Sequence, residues 1–247
     1  MTYCVGLCLQ DGLVLLSDTR TNAGPDSIAT FNKMSVIAPG DRVIGLMTSG
    51  NLAVTQAVVA RVTEGAGLDE GEPLETLLTV TSMYDAAVLV GDAVRAVYAE
   101  HAAAPSAQNV SFDASIILAG QIGDRRMRMF MIYAAGNFIE ATEETPFFQI
   151  GETKYGKPIL DRVAQYDTPL EDAVKLALIS MDSTLRSNFS VGLPADLLVY
   201  RRDSNVIAAQ HRIDEDDPYF RGIRENWSEA LRRAYRDLPT PPWLAKA

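Results

Sequence analysis

Two runs near the start of the chain, YCVGLCL and LVLL, are apolar on both faces. A strand with one face in water alternates apolar and polar residues with a period of two. Neither run alternates, so both strands need cover above and below. That excludes a lone hairpin and any single-layer sheet with a wet face. Between them stands Asp11-Gly12, the signal for a two-residue type I′ turn. Such a turn predicts strands at 2–9 and 13–18, with Leu13 opposite Gln10 and Val5 opposite Asp18.

The rest of the chain supplies the cover. Residues 19–32 read as a polar loop. KMSVIA and RVIGLM form a second hairpin that turns at Pro39-Gly40-Asp41. A helix starts at Ser49 or Gly50, with Leu52, Val54, Ala57, Val58 and Val62 on its apolar face. A linker at Gly65–Pro73 leads to a helix from Leu74 to about Glu100, ended by AAAPSAQN. Strands follow at 112–119, 127–134 and 147–150, then helices at about 155–165 and 169–186, then strands at 195–201 and 205–211. This order predicts an α+β fold, a four-layer αββα sandwich of two antiparallel sheets, each covered outside by a helix pair. Residues 1–212 read as one domain. Residues 213–247 read as an extension: a solvated acidic linker, Asp214–Asp217, then a helix to about Arg236. In that helix Ile223, Trp227, Leu231 and Tyr235 recur every four residues, a stripe that needs a surface to cover it.

Net charge is 22 − 32 = −10, so nucleic acid is a poor partner. No apolar run approaches the roughly 20 residues that span a bilayer, and no membrane association is expected. The start lacks the basic, apolar and small-residue segments of a secretory signal, and the protein reads as cytoplasmic. Cys4 and Cys8 would lie roughly 13 Å apart along a strand, too far for a disulfide. The histidines are His101 and His211 alone, which leaves little material for histidine triads or multi-histidine metal sites.

Thr2 directly follows Met1. Its small side chain permits removal of Met1 by an aminopeptidase, which leaves a hydroxyl nucleophile and an α-amine base on one residue. An α-amine has a pKa of about 7.7–8.0, and a neighbouring cation would enlarge its neutral fraction. Asp18 closes a buried apolar strand and needs a partner, and Lys33 returns to the same end. Gly50, where strand turns to helix, could offer an N–H to an oxyanion. Taken singly, Thr2 is an ordinary second residue, Asp18 and Lys33 a structural ion pair, and Gly50 a helix start. Strict hairpin register also sets Thr2 and Asp18 on opposite faces. GETKYGKP at 151–158 nearly matches a phosphate-binding loop, but Pro158 stands where a hydroxyl would hold magnesium.

The set resembles the β-subunits of the proteasome and the related bacterial peptidases. The likeness lies in Thr2 opening the first strand, LQDGLVLLSDTR, Lys33 opening the third strand, TSGNLAVTQ, and MDSTLRSNFSVGLPADLLVY. Within that family it is most similar to the bacterial ancestral-β-subunit branch, Anbu. The resemblance implies an N-terminal-nucleophile hydrolase fold and a threonine-type peptidase or amide hydrolase. In it Thr2 would be nucleophile and base, Asp18 and Lys33 would tune it, and Gly50 N–H would bind the oxyanion. Asp182, with Ser183 or Ser187, would support the amine. It implies no cofactor and no metal, a homo-oligomer built as a ring or spiral, and a peptide or unfolded-protein substrate. A separate ATP-dependent unfoldase would be needed for folded substrates. A small-molecule or specific-peptide amidohydrolase, or a catalytically silent scaffold subunit, remain as alternatives. The chain departs from the family pattern at Glu152, where a serine is expected, and at Val54, where an aspartate is expected. Its Asp18-to-Lys33 spacing is one residue short, and SMDSTLRSNFSVG is longer than usual.

Overall fold

The computed structural model describes residues 2–22, 28–65, 75–102 and 113–244. In chain order the strands are Tyr3–Leu9 (β1), Gly12–Asp18 (β2), Arg20–Asn22 (β3), Ile28–Thr30 (β4), Met34–Ile37 (β5) and Arg42–Gly50 (β6). They continue with Ala114–Ile122 (β7), Arg128–Ile132 (β8), Phe138–Glu140 (β9), Phe147–Gly151 (β10), Ala195–Arg201 (β11) and Ile207–Ile213 (β12). The helices are Leu52–Glu64 (α1), Met83–Ala102 (α2), Lys157–Val163 (α3), Leu170–Ser187 (α4) and Pro218–Asp237 (α5).

Two antiparallel five-stranded sheets lie face to face. The first has the order β10-β1-β2-β11-β12 and the second β5-β6-β7-β8-β9. Alternation along β1 divides its apolar residues between two cores. Cys4 packs between the sheets with Leu15, Met47, Ile117 and Met129. Tyr3, Val5, Leu7 and Leu9 point the other way, onto Leu160 of α3 and Leu176 and Met181 of α4. A third core joins the far face of the second sheet to α1 and α2 through Ile44, Val58, Val90 and Ile116. The result is the helix–sheet–sheet–helix sandwich that the doubly apolar strands require. No helix among the described residues is long and apolar enough to cross a membrane.

The first hairpin turns one residue earlier than expected. Leu9 faces Gly12 and Val5 faces Leu16, so the turn residues are Gln10 and Asp11. Gly12 serves its other neighbour instead. It pairs with Arg201 of β11, where a Cβ would lie 1.9 Å from the Tyr200 carbonyl oxygen. The pairing moves by two residues, so every side chain keeps its face. Residues 19–32 carry a small hairpin, β3 with β4, rather than loop throughout. The helix expected from Leu74 starts at Met83. Before it, Thr79 Oγ accepts from Thr76 N–H, and Ser82 Oγ accepts from Asp85 N–H, local bonds that compete with helix and cap it. Residues 66–74 and 103–112, which hold most of the expected linker and of AAAPSAQN, lie outside the described residues.

The acidic run at 214–217 is more than a solvated linker. Asp217 caps α5 by accepting from Phe220 N–H at 2.8 Å, and its other oxygen meets His211 at 2.8 Å. The cap aims Phe220 into the α3–α4 core, where it is buried. Phe220→Ala should therefore lower stability by about 3–5 kcal/mol, read as a fall in the urea midpoint, with the fold retained.

Candidate active site

Thr2 lies just ahead of β1, which runs between β10 and β2 in the first sheet. One step beyond the last strand pair, Tyr3 stands opposite Asp18, and Tyr3 N–H donates to Asp18 Oδ1 at 2.9 Å. Lys33 Nζ donates to the same oxygen at 2.7 Å and to the Arg20 carbonyl at 2.6 Å. Gly192 N–H approaches Asp18 Oδ2 at 3.4 Å. Both side chains are buried, with 5% of Lys33 and none of Asp18 exposed. Burial pushes the Asp18 carboxyl above the usual range, opposed by Lys33 and by the two N–H donors. The face conflict seen in the sequence is resolved here. Asp18 does not meet the Thr2 side chain; it aims Lys33, and Lys33 lines the pocket with Thr2.

That pocket is a cavity of about 280 Å³ whose walls include Thr2, Lys33, Thr48, Ser49, Gly50 and Gly151. Gly50 is not the helix start the sequence suggested. It is the last residue of β6, and Asn51 caps α1, with its side chain accepting from Ala53 N–H and Val54 N–H. The Ala53 and Val54 N–H groups are thus already bonded, and a strand donor, the Gly50 N–H, stands at the pocket as well. Gly50 faces Ala114, while Asn51 N–H bonds the Asp113 carbonyl at 2.8 Å. In an antiparallel ladder this makes Gly50–Ala114 a non-hydrogen-bonded pair, so the Gly50 N–H points away from β7. On that side the ladder to β5 ends with Thr48 N–H on the Lys33 carbonyl, 2.9 Å. Beyond it the Gly50 N–H meets no acceptor among the described residues. At φ +116° a Cβ here would lie 1.9 Å from the Asp113 oxygen, so only glycine fits.

Asp182, Ser183 and Ser187 do not line the pocket. Asp182 is buried in α4 with both oxygens engaged, by Arg186 Nε at 3.1 Å and Arg224 Nε at 2.8 Å. Ser183 Oγ donates to the Ile179 carbonyl one turn back. Ser187 is exposed at the end of α4. The residues that reach toward the site come later, Asn188 and Gly192, and sequence reasoning missed both. Val54 is buried in the α1 core. Glu152 is buried beside Thr2, and its N–H donates to the Thr2 carbonyl at 2.6 Å. This bond, and Lys154 N–H on Glu152 Oε1, use backbone donors that a phosphate-binding loop would leave open. Lys157 of the same stretch pairs with Asp161. Cys4 is buried and its thiol is pushed far up by burial, which leaves it inert.

Lys33→Met should leave Asp18 buried without its cation, at a cost of about 3–5 kcal/mol, and Asp18→Asn with Lys33→Met should recover most of it. The loss has a sign in pH. A carboxyl whose folded pKa lies above its unfolded value lends stability at low pH and loses it as pH rises through the folded pKa. The Lys33→Met defect should accordingly grow from mildly acid to neutral pH in urea unfolding, and the double variant should not show that growth.

The family model described as proteasome subunit matches residues 2–194. Comparison with curated proteins gives no match. Among solved structures, Anbu from Hyphomicrobium sp. strain MC1, as its Gly-1 mutant, is 49% identical with a TM-score of 0.88, over 98% of this chain and 99% of that one. Anbu (ancestral beta-subunit) from Yersinia bercovieri is 48% identical with a TM-score of 0.88, over 97% and 99%. The helical assembly of the Anbu complex from Pseudomonas aeruginosa is 47% identical with a TM-score of 0.90, over 99% and 100%. With Thr2, Lys33 and the Gly50 N–H gathered at the mouth between two such sheets, the chain belongs to the proteasome-subunit family and resembles, along nearly its whole length, the Anbu ancestral β-subunits within it.

Proposed function

We propose that this protein is a threonine-type peptidase or amide hydrolase that works once Met1 has been removed. The observation that carries the reading is one pocket in which Thr2, a lysine fixed by a buried aspartate, and an unbonded strand N–H converge. Thr2 Oγ attacks a carbonyl carbon while its α-amine takes the hydroxyl proton. The Gly50 N–H meets the oxyanion, a contact worth about 3–4 kcal/mol in the barrier. The ammonium returns the proton to the leaving nitrogen, an ester forms on Thr2, and water hydrolyses it. Lys33 adds a fixed positive charge that favours the neutral amine and the developing oxyanion.

Peptides or unfolded chains are the substrate class in this reading, with a separate ATP-dependent unfoldase needed for folded proteins. A cytoplasmic setting fits the free cysteines. We also propose that the 1–212 unit carries the chemistry and the 213–247 extension serves self-assembly in a homo-oligomer. The inner end of α5 docks through Phe220, whereas Leu231, Tyr235 and Leu238 are 51%, 76% and 68% exposed. A run of large apolar groups left open this way marks an interface, and the Pseudomonas aeruginosa relative is described as a helical assembly.

Two measurements test these statements. Intact mass after treatment with a peptide epoxyketone, which needs both a hydroxyl and a free α-amine, should show loss of Met1 and one adduct per chain, and Thr2→Ala should take up none. An adduct that persists in Thr2→Ala would refute the assignment. Leu231→Glu with Tyr235→Glu should dissociate the oligomer in light scattering without lowering the unfolding midpoint; an unchanged mass would place assembly elsewhere.

A further inference from the structure

We propose that Ser49 is a catalytic residue on the leaving-group side of the site, its hydroxyl holding first the departing nitrogen and then the water that replaces it. The proposal rests on the reading of Thr2 as nucleophile. Ser49 stands on β6, one residue before Gly50. The pairing of β6 with β7 is regular through Gly50, so side chains alternate strictly along the strand. Met47 packs between the sheets with Cys4, and Ser49, two residues on, shares that face. It therefore points across to the first sheet, where Thr2 precedes Cys4 by two residues. Gly151 gives the approach directly. A Cβ there would lie 2.1 Å from the Thr2 carbonyl oxygen and 3.0 Å from Ser49 Oγ. Any side chain at 151 would stand between the serine and the threonine, and glycine leaves the way open.

Ser49 is 9% exposed, and no group among the described residues bonds its hydroxyl. A hydroxyl withdrawn from water without a partner costs about 1–3 kcal/mol. Alanine would fit the same strand without that cost. Ser49 lines the Thr2 pocket together with Gly151, so the partner of its hydroxyl is whatever enters that pocket. The hydroxyl is also held on a fixed element. Ser49 faces Ser115, two positions from the Asn51 N–H bond to the Asp113 carbonyl, which makes the pair a hydrogen-bonded one.

The four substituents of the tetrahedral carbon assign the walls. One is Thr2 Oγ, and one is the oxyanion at the Gly50 N–H. A second cavity of about 290 Å³ adjoins the first, and the two share Lys33, Thr48, Leu52 and Thr55, which gives the acyl chain its room. Thr21 lies on that side too, next to the Arg20 whose carbonyl holds Lys33. The fourth substituent, the leaving nitrogen, faces the wall that remains, Ser49 and Gly151. There Ser49 Oγ accepts from the N–H of the leaving nitrogen and turns its lone pair toward the Thr2 ammonium, which donates its proton as the C–N bond breaks. Water then takes the same place. It donates one hydrogen bond to Ser49 Oγ and gives its other proton to the Thr2 amine as its oxygen attacks the ester carbon. The ammonium returns that proton to Thr2 Oγ when the ester bond breaks.

The test is the lifetime of the acyl-enzyme in protein freed of Met1. A β-lactone esterifies Thr2, and intact mass against time reads the loss of the adduct. Ser49→Ala should lengthen that lifetime by about tenfold, the value of one hydrogen bond in the barrier. Ser49→Thr keeps a hydroxyl and should restore most of the loss. Capture by a peptide epoxyketone involves neither water nor a leaving group, so its rate should be the same in Ser49→Ala as in wild type. Alanine removes no bond within the fold, so the variant remains folded for both measurements. An unchanged adduct lifetime overturns the proposal. So does an epoxyketone rate that falls as far as deacylation, since Ser49 would then serve Thr2 itself. A wild type that takes up no β-lactone refutes Thr2 as nucleophile and the proposal with it, whereas an adduct whose lifetime ignores residue 49 refutes the proposal alone.

Discussion

The Asp18–Lys33 ion pair ties the two sheets together at the mouth where Thr2 sits. Asp18 ends β2 of the first sheet and Lys33 directly precedes β5 of the second, and 2.7 Å separates their charged atoms. Desolvating both groups offsets most of what their attraction returns, so such a pair contributes little net stability. What it contributes is position. The Arg20 carbonyl, Tyr3 N–H and Gly192 N–H complete the coordination of the pair, and each comes from a different segment. Breaking the pair would leave a buried carboxylate uncompensated and free the lysine from the pocket wall.

Strands rather than loops hold the other parts of the site. Thr2 is fixed between β2 and β10, with the Glu152 N–H on its carbonyl. Gly50 belongs to β6, and its N–H is left open because β5 stops short while β7 pairs with the alternate residues. An open donor at the end of a ladder is rigid, since the strand behind it is paired throughout. Sites built on such elements hold their geometry better than sites on free loops.

The sandwich was legible because β1 and β2 show no polar face, and two covering layers are the only escape from that. Asp18, Lys33 and Gly50 were legible because each breaks an apolar run at a strand end. The exact turn was not, since Gly12 answers to β11, nearly two hundred residues away in sequence. Asn51 outcompeted Ser49 and Gly50 as helix cap because β6 keeps those two in its ladder. Asp182 had the right residue type, but its partners are Arg186 one turn on and Arg224 from α5, contacts invisible before the helices pack. Asn188 and Gly192 carried no signal of their own. Glu152 did stand out as a departure from the family pattern, yet its burial and its N–H bond to the Thr2 carbonyl depend on a pairing between strands that begin 144 residues apart, at Tyr3 and Phe147.

The central claim is that Thr2, Lys33 and the Gly50 N–H act on one carbonyl. A crystal structure of the protein without Met1, acylated by a β-lactone, tests it most directly. The account predicts an ester on Thr2 Oγ, its carbonyl oxygen within hydrogen-bond distance of the Gly50 N–H, and Lys33 Nζ still on Asp18. An acyl group on any other residue, or an ester oxygen turned away from Gly50, would contradict it.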